Sequence, residues 1–133
     1  MSNRSKRMLD YIAQAEGADY NTSLGYGAYT GGEQKWSTMT LDQIDQVQSG
    51  MLSNPENKLN SSAIGRYQIV QKTLRGLRDE LGLSGDEVFS PQLQDMLAQQ
   101  LIKRRGRNVK GLRDEWQGLN RKDAAEILQM FDQ

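Results

Sequence analysis

The sequence predicts a mainly α, compact helical domain around one central helix, crossed by a single long Gly/Tyr-rich loop or small hairpin. Three observations carry that reading. Apolar residues recur at helical spacing in six segments. Gly17, Gly82 and Gly106 stand just past three of them, where a helix stop favours a residue that tolerates left-handed backbone. The length of 133 residues, with 36% hydrophobic and 26% charged, suits one modest domain over 1–133, without repeat, linker or low-complexity tract.

Met8, Leu9, Ile12, Ala13 and Ala15 set a first helix of about three turns after a polar lead, with Glu16 on its last turn before Gly17. From Ala18 to Lys35 the chain carries Gly25, Gly27, Gly31 and Gly32 among Tyr20, Tyr26 and Tyr29, with little apolar periodicity, so a long irregular excursion is expected. Thr40 and Gln43 have the spacing of a capping box, and Leu41, Ile44, Val47 and Met51 form the stripe of a second helix. A polar connector follows over Ser53–Ser62. The spacing then predicts a third helix from about Tyr67, the central core helix, on Val70, Leu74, Leu77 and Leu81. Ser90-Pro91 opens a fourth, with Leu93, Met96, Leu97 and Leu101 as its stripe. Val109, Leu112 and Trp116 suggest a short fifth helix, and Ala124, Ile127, Leu128 and Phe131 a sixth.

Composition narrows the chemistry. Lys+Arg and Asp+Glu are both 17, so no global field recruits nucleic acid or an anionic membrane. With no Cys and no His, thiol nucleophiles, disulfides, imidazole bases and thiolate or imidazole metal sites are excluded, and acid–base work falls to carboxylates. No metal and no cofactor is expected. No apolar run approaches the roughly 20 residues of a membrane span, and the polar start is unlike a signal peptide.

Glu16 is the first candidate for chemistry. It lies between Ala15 and Gly17, where a helix ends and an irregular loop begins. The partial negative charge of a helix C-terminus and burial under the loop both disfavour ionisation, which suits a group that donates a proton near neutral pH. An exposed helix-end glutamate without a role would occupy the same position. The second constellation is Ser61-Ser62-Ala63-Ile64-Gly65-Arg66-Tyr67-Gln68. Its small residues admit a ligand to the backbone, while Arg66, Tyr67 and Gln68 supply a fork of donors, an aromatic face and an amide, a set suited to an amide-bearing sugar. A helix-capping turn with Tyr67 in the core fits the spacing equally well. Tyr20, Tyr26, Tyr29 and Trp36 could stack on sugar rings or form the loop's own small core. Lys103, Arg104, Arg105, Arg107 and Lys110 read as solvated charge at a helix end, with a grip on an anionic polymer as the alternative.

Ala15-Glu16-Gly17, the Gly/Tyr loop and Ser62-Ala63-Ile64-Gly65-Arg66-Tyr67-Gln68, in that order, resemble the lambda-type phage endolysins, lytic transglycosylases, and related muramidase-like domains of the lysozyme superfamily. Phe89-Ser90-Pro91-Gln92-Leu93-Gln94-Asp95 and Leu101-Ile102-Lys103-Arg104-Arg105-Gly106 extend the resemblance, which covers roughly residues 8 to 106. It implies an α+β lysozyme-like fold and cleavage of the β-1,4 bond between N-acetylmuramic acid and N-acetylglucosamine in peptidoglycan. Glu16 would be the catalytic acid. Ser62, Gly65, Arg66, Tyr67 and Gln68, with Tyr26 and Tyr29, would bind substrate.

A hydrolase would need a second carboxylate, for which Asp19 and Glu33 are the candidates, whereas a transglycosylase needs Glu16 alone. The phage-T4-type pattern wants an Asp nine residues after the Glu, where this chain has Gly25, so a single-glutamate mechanism is expected. A hydrolytic muramidase and a non-catalytic glycan-binding module of a phage or secretion machine are the alternatives. Partners are glycan strands, with no nucleic acid and no membrane insertion, and the chain is expected to be a monomer. It would act in the bacterial wall or periplasm, delivered by a phage, carried on a virion, released by a holin, or trimmed of a leader. After Gly106 the family pattern gives way, so either a helical substitute closes the domain or the chain is part of a larger protein.

Overall fold

The computed structural model describes residues 3–22, 34–58, 61–105 and 108–132. Among the described residues there are six α-helices and one 3-10 turn, and extended backbone pairs only at two isolated antiparallel bridges. The chain divides into two compact units, Met1–Gly17 with Asp95–Gln133, and Ala18–Gln94.

The first unit contains α1 (Asn3–Glu16), most of α4 (Pro91–Arg105), α5 (Val109–Glu115) and α6 (Arg121–Asp132). Helix α6 packs on both α1 and α5. Met8, Leu9, Ile12 and Ala13 of α1, Leu112 of α5, Trp116 and Leu119 beyond it, and Ala124, Ile127 and Met130 of α6 are buried. The side chain of Phe131 lies outside the described residues. Asn108 and Asn120 accept hydrogen bonds from Gly111 N (3.1 Å) and Asp123 N (2.8 Å), which gives partners to amides that the two helix starts leave unpaired.

Two expectations shift here. The polar lead Asn3–Arg7 is helical rather than flanking, consistent with a segment that has no Gly, Pro or β-branched residue. The buried face of α4 is Gln94, Leu97, Ala98, Leu101 and Ile102, a full i, i+3, i+4, i+7, i+8 stripe, while Leu93 is half-buried and Met96 is 42% exposed. The expected stripe omitted Gln94, Ala98 and Ile102.

The second unit holds α2 (Leu41–Ser53), α3 (Gln71–Leu81), the 3-10 turn Trp36–Thr38 and the first residues of α4. The capping box on α2 forms as expected: Thr40 Oγ1 accepts from Gln43 N at 3.2 Å and Gln43 Oε1 accepts from Thr40 N at 2.9 Å. Leu41, Ile44, Gln48 and Met51 are buried on α2, and Leu74 and Leu77 on α3. Helix α3 ends at Gly82, whose φ of +67° is the left-handed stop the sequence predicts.

Its start differs: α3 opens at Gln71, four residues after Tyr67. Residues 65–68 form a turn closed by the Ile64–Ile69 bridge, with Gln68 at φ +49°, a conformation no helix continues through. Thr40 pairs with Val88, and Glu87 braces that bridge's approach by accepting from Ser84 N and Gly85 N, both at 2.8 Å.

Candidate active site

Glu16 is the last residue of α1 and belongs to the first unit. Gly17, at φ +60°, turns the chain out of the helix and donates from its N–H to Gln14 O at 3.2 Å. Glu16 is half-buried, and that burial raises its carboxyl above the ordinary value of 4.5 by disfavouring the charged form. The backbone under it is backed by Gly118, where a Cβ would fall 2.5 Å from the Ala15 carbonyl oxygen. The loop between α5 and α6 therefore lies against the turn that carries Glu16.

In the second unit, Ser62, Gly65, Arg66, Tyr67 and Gln68 are drawn into one tight turn. Gln48, from α2, donates through Nε2 to Ser62 O (2.9 Å) and Ile69 O (3.1 Å), so one amide holds both ends of the turn. Ser62 Oγ accepts from Gln71 N at 2.8 Å and thereby caps the start of α3. Gln94, fully buried at the head of α4, receives Arg66 N on its Oε1 (3.0 Å) and donates through Nε2 to Tyr20 O (3.1 Å) and Phe89 O (3.0 Å). Gly65, at φ +79°, donates to Thr22 O at 2.7 Å, and a Cβ there would meet Gln94 Oε1 at 2.5 Å. The first residues of the long loop, the turn and the head of α4 are thus knotted around one glutamine side chain.

The outermost product of this knot is the half-buried Arg66. Its guanidinium lies over the rings of Tyr20 (5.3 Å) and Tyr67 (5.4 Å), and its NH1 donates to the Tyr67 hydroxyl at 2.6 Å. The ring of Tyr67 is only 1% exposed and Ser62 only 2%, so these two shape the turn from beneath, while the part-buried Tyr20, Arg66 and Gln68 carry its outer side. Gln68 Nε2 donates to Gly65 O at 2.9 Å. Trp36 is completely buried and presents no stacking face.

Asp19 lies in the second unit, and its Oδ1 accepts from Asn21 N (2.8 Å) and Thr22 Oγ1 (3.1 Å), a local staple of the loop's first turn. Asn21 in turn receives Ser37 N (2.9 Å) and Ser37 Oγ (3.0 Å), tying the beginning of the excursion to its end. Tyr26, Tyr29 and Glu33 lie outside the described residues. Gln48 and Gln94 were not singled out by residue type or position in the sequence. The only signal was their place on apolar helix faces, where an amide side chain has to be satisfied internally.

Among the described residues, no three or more His, Cys, Asp or Glu gather where they could hold a metal ion, and no helix is long and apolar enough to cross a membrane.

Residues 6–117 match the family model described as Endolysin. The endolysin of Escherichia phage lambda is 36% identical over 110 residues, a match spanning 80% of this chain and 63% of that protein. Two solved structures are similar. The lysozyme from bacteriophage lambda superposes with a TM-score of 0.59 at 25% identity, covering 99% of this chain and 94% of that one. Bacteriophage lambda lysozyme complexed with a chitohexasaccharide gives 0.52 at 28% identity, with the same coverage. The helical architecture agrees with these matches, and the chain belongs to the endolysin family.

Proposed function

We propose that residues 1–133 act as one catalytic domain that cleaves peptidoglycan glycan strands at the β-1,4 bond between N-acetylmuramic acid and N-acetylglucosamine, as a lytic transglycosylase with Glu16 as its single catalytic carboxylate. The observation that carries this reading is Glu16 itself, a half-buried carboxyl held toward its protonated form at the position where the family resemblance places the acid. Glu16 donates its proton to the bridging oxygen, the C1–O bond breaks, and positive charge develops at C1 of the muramic residue. The 6-hydroxyl of that residue attacks C1 and gives its proton to the Glu16 carboxylate, which closes a 1,6-anhydro ring and restores the acid. Gly65, Arg66, Gln68 and the rings of the Tyr-bearing loop, Tyr26 and Tyr29 among them, bind the sugars. Ser62 and Tyr67 support that surface from below. The chemistry needs no metal or cofactor, one chain suffices, and the place of action is the bacterial wall.

Hydrolysis by a muramidase mechanism is the second reading, favoured by the bound chitohexasaccharide of the lambda lysozyme structure only in so far as it marks glycan recognition. It would recruit Asp19 or Glu33 to activate water. The two hydrogen bonds already made to Asp19 Oδ1 support its role as a loop staple instead.

Mass spectrometry of muropeptides released from purified peptidoglycan separates these readings. Products ending in 1,6-anhydro-muramic acid are expected from the wild-type chain, and none from Glu16→Gln. Reducing-end products would assign a hydrolase. Undiminished turnover by Glu16→Gln would remove Glu16 from the acid's role, and no product from either protein would point to a glycan-binding module.

A further inference from the structure

The balanced charge of the whole chain conceals a division. The first unit carries eleven Lys and Arg against eight Asp and Glu, the second six against nine. Within the first unit the excess is gathered along a row of three clefts. One, of about 180 Å³, has Met8, Ile102 and Met130 among its lining with Arg4 and Lys103 beside them. The next shares Lys103 and adds Arg104, Arg105 and Lys110. The third shares Lys110 and Asp114 with it and adds Arg113 and Arg121. The shared side chains make the row continuous, and among the described residues that line it are seven cations and one carboxylate, Asp114, with Glu115 beside Arg105.

Stability does not account for this row. All seven cations are exposed, and ion pairs at such positions contribute little. Arg105 meets Glu115 at 3.3 Å and Lys110 meets Asp114 at 3.0 Å, whereas Arg4, Lys103 and Arg121 reach no carboxylate among the described residues. A run of like charge maintained at a cost in self-repulsion fits an extended polyanion. Among the described residues the lining supplies no aromatic ring for bases to stack on, which disfavours single-stranded nucleic acid. At its apolar end Met8, Ile102 and Met130 set an aliphatic surface beside Arg4 and Lys103, which suits a ligand with small aliphatic groups next to an anion.

We infer that this basic row is a second binding surface, which holds the carboxylate-bearing peptide stems of the wall while the glycan is processed elsewhere on the chain. The inference deepens the proposed function and rests on it for the identity of the polymer.

The test uses sedimentation with purified sacculi in the Glu16→Gln background, so binding is read without turnover. A variant carrying Arg4→Glu, Lys103→Glu and Arg121→Glu is compared with its charge-neutral counterpart, Arg4→Gln, Lys103→Gln and Arg121→Gln, with thermal melts confirming that each is folded. Loss of about tenfold or more in sacculus affinity is expected for the reversal variant, and a smaller loss for the neutral one. Affinity for chitohexasaccharide should be unchanged in both. Sacculi whose carboxylates have been amidated should bind the unmodified row as weakly as the reversal variant binds native sacculi, and rising salt should weaken only the native interaction.

Equal sacculus binding by both folded variants, or indifference to amidation, overturns the inference. So does tighter binding of inorganic polyphosphate or single-stranded DNA than of sacculi, which would assign the row to phosphate. Absence of turnover in the wild-type chain would instead overturn the catalytic reading and leaves the sedimentation result to stand or fall on its own.

Discussion

Burial raises the Glu16 carboxyl above its ordinary value by penalising its charge, and the same penalty acts on folding. Below the ordinary value of 4.5 the carboxyl is neutral in both folded and unfolded chains. Above it the unfolded chain ionises first, so stability falls as pH rises through the window between 4.5 and the raised folded value. Glu16→Gln should therefore melt higher than wild type at neutral pH and match it at about pH 4, a difference that paired melting curves would show. Turnover by the wild type should fall on the alkaline side as the same proton is lost.

At Gly65 the constraint is steric. The φ of +79° disfavours any side chain, and a methyl group there would stand 2.5 Å from the Gln94 amide oxygen, so Gly65→Ala should cost about 1–3 kcal/mol in a denaturant melt and weaken glycan binding. Glu16 and Gly65 stand out in the sequence because each sits beside a change of local pattern. Gln94 does not, since an amide at the head of an apolar face reads as surface until its three partners, from residues far apart in the chain, are assembled. The burial of Tyr67 was undecidable for the same reason.

Among the elements, α2 is the one most completely written in its own residues. Its cap, box and stripe are local, and Thr40→Ala should remove about 1 kcal/mol, measurable as a lower melting temperature. The beginning of α3 is the counter-case. Val70 continues the apolar spacing of Leu74 and Leu77, but the Ile64–Ile69 bridge and the amide of Gln48 claim the preceding backbone for a turn. A tertiary clamp overrides periodicity there.

The segment between α3 and α4 depends on ionisation. The N–H groups of Ser84 and Gly85 hold the Glu87 carboxyl down to about 2, so its contribution to stability is complete above the ordinary 4.5 and disappears as pH falls toward about 2. Glu87→Gln should lower the melting temperature at neutral pH and leave it unchanged near pH 2, which a pH series of melts would read directly.

For the molecule as a whole, the helical class was legible because each helix announces itself within its own residues. The partition of charge was not, because residues 1–17 and 95–133 join one unit only through folding. Net charge near zero with opposite signs on the two units should let the chain adhere to both cation and anion exchangers at low ionic strength and pH 7. Reversing Arg4, Lys103 and Arg121 to Glu should abolish only the cation-exchange retention.

Gly118 gives this architecture a temporal dimension. The carbonyl it accommodates belongs to Ala15, immediately before Glu16, so any side chain at 118 presses on the turn that carries Glu16 from a distant part of the sequence. On the proposed function, a Gly118→Ala chain should work when cold and fade on warming, a conditional allele that sets the pace of turnover without changing any residue assigned there to the glycan.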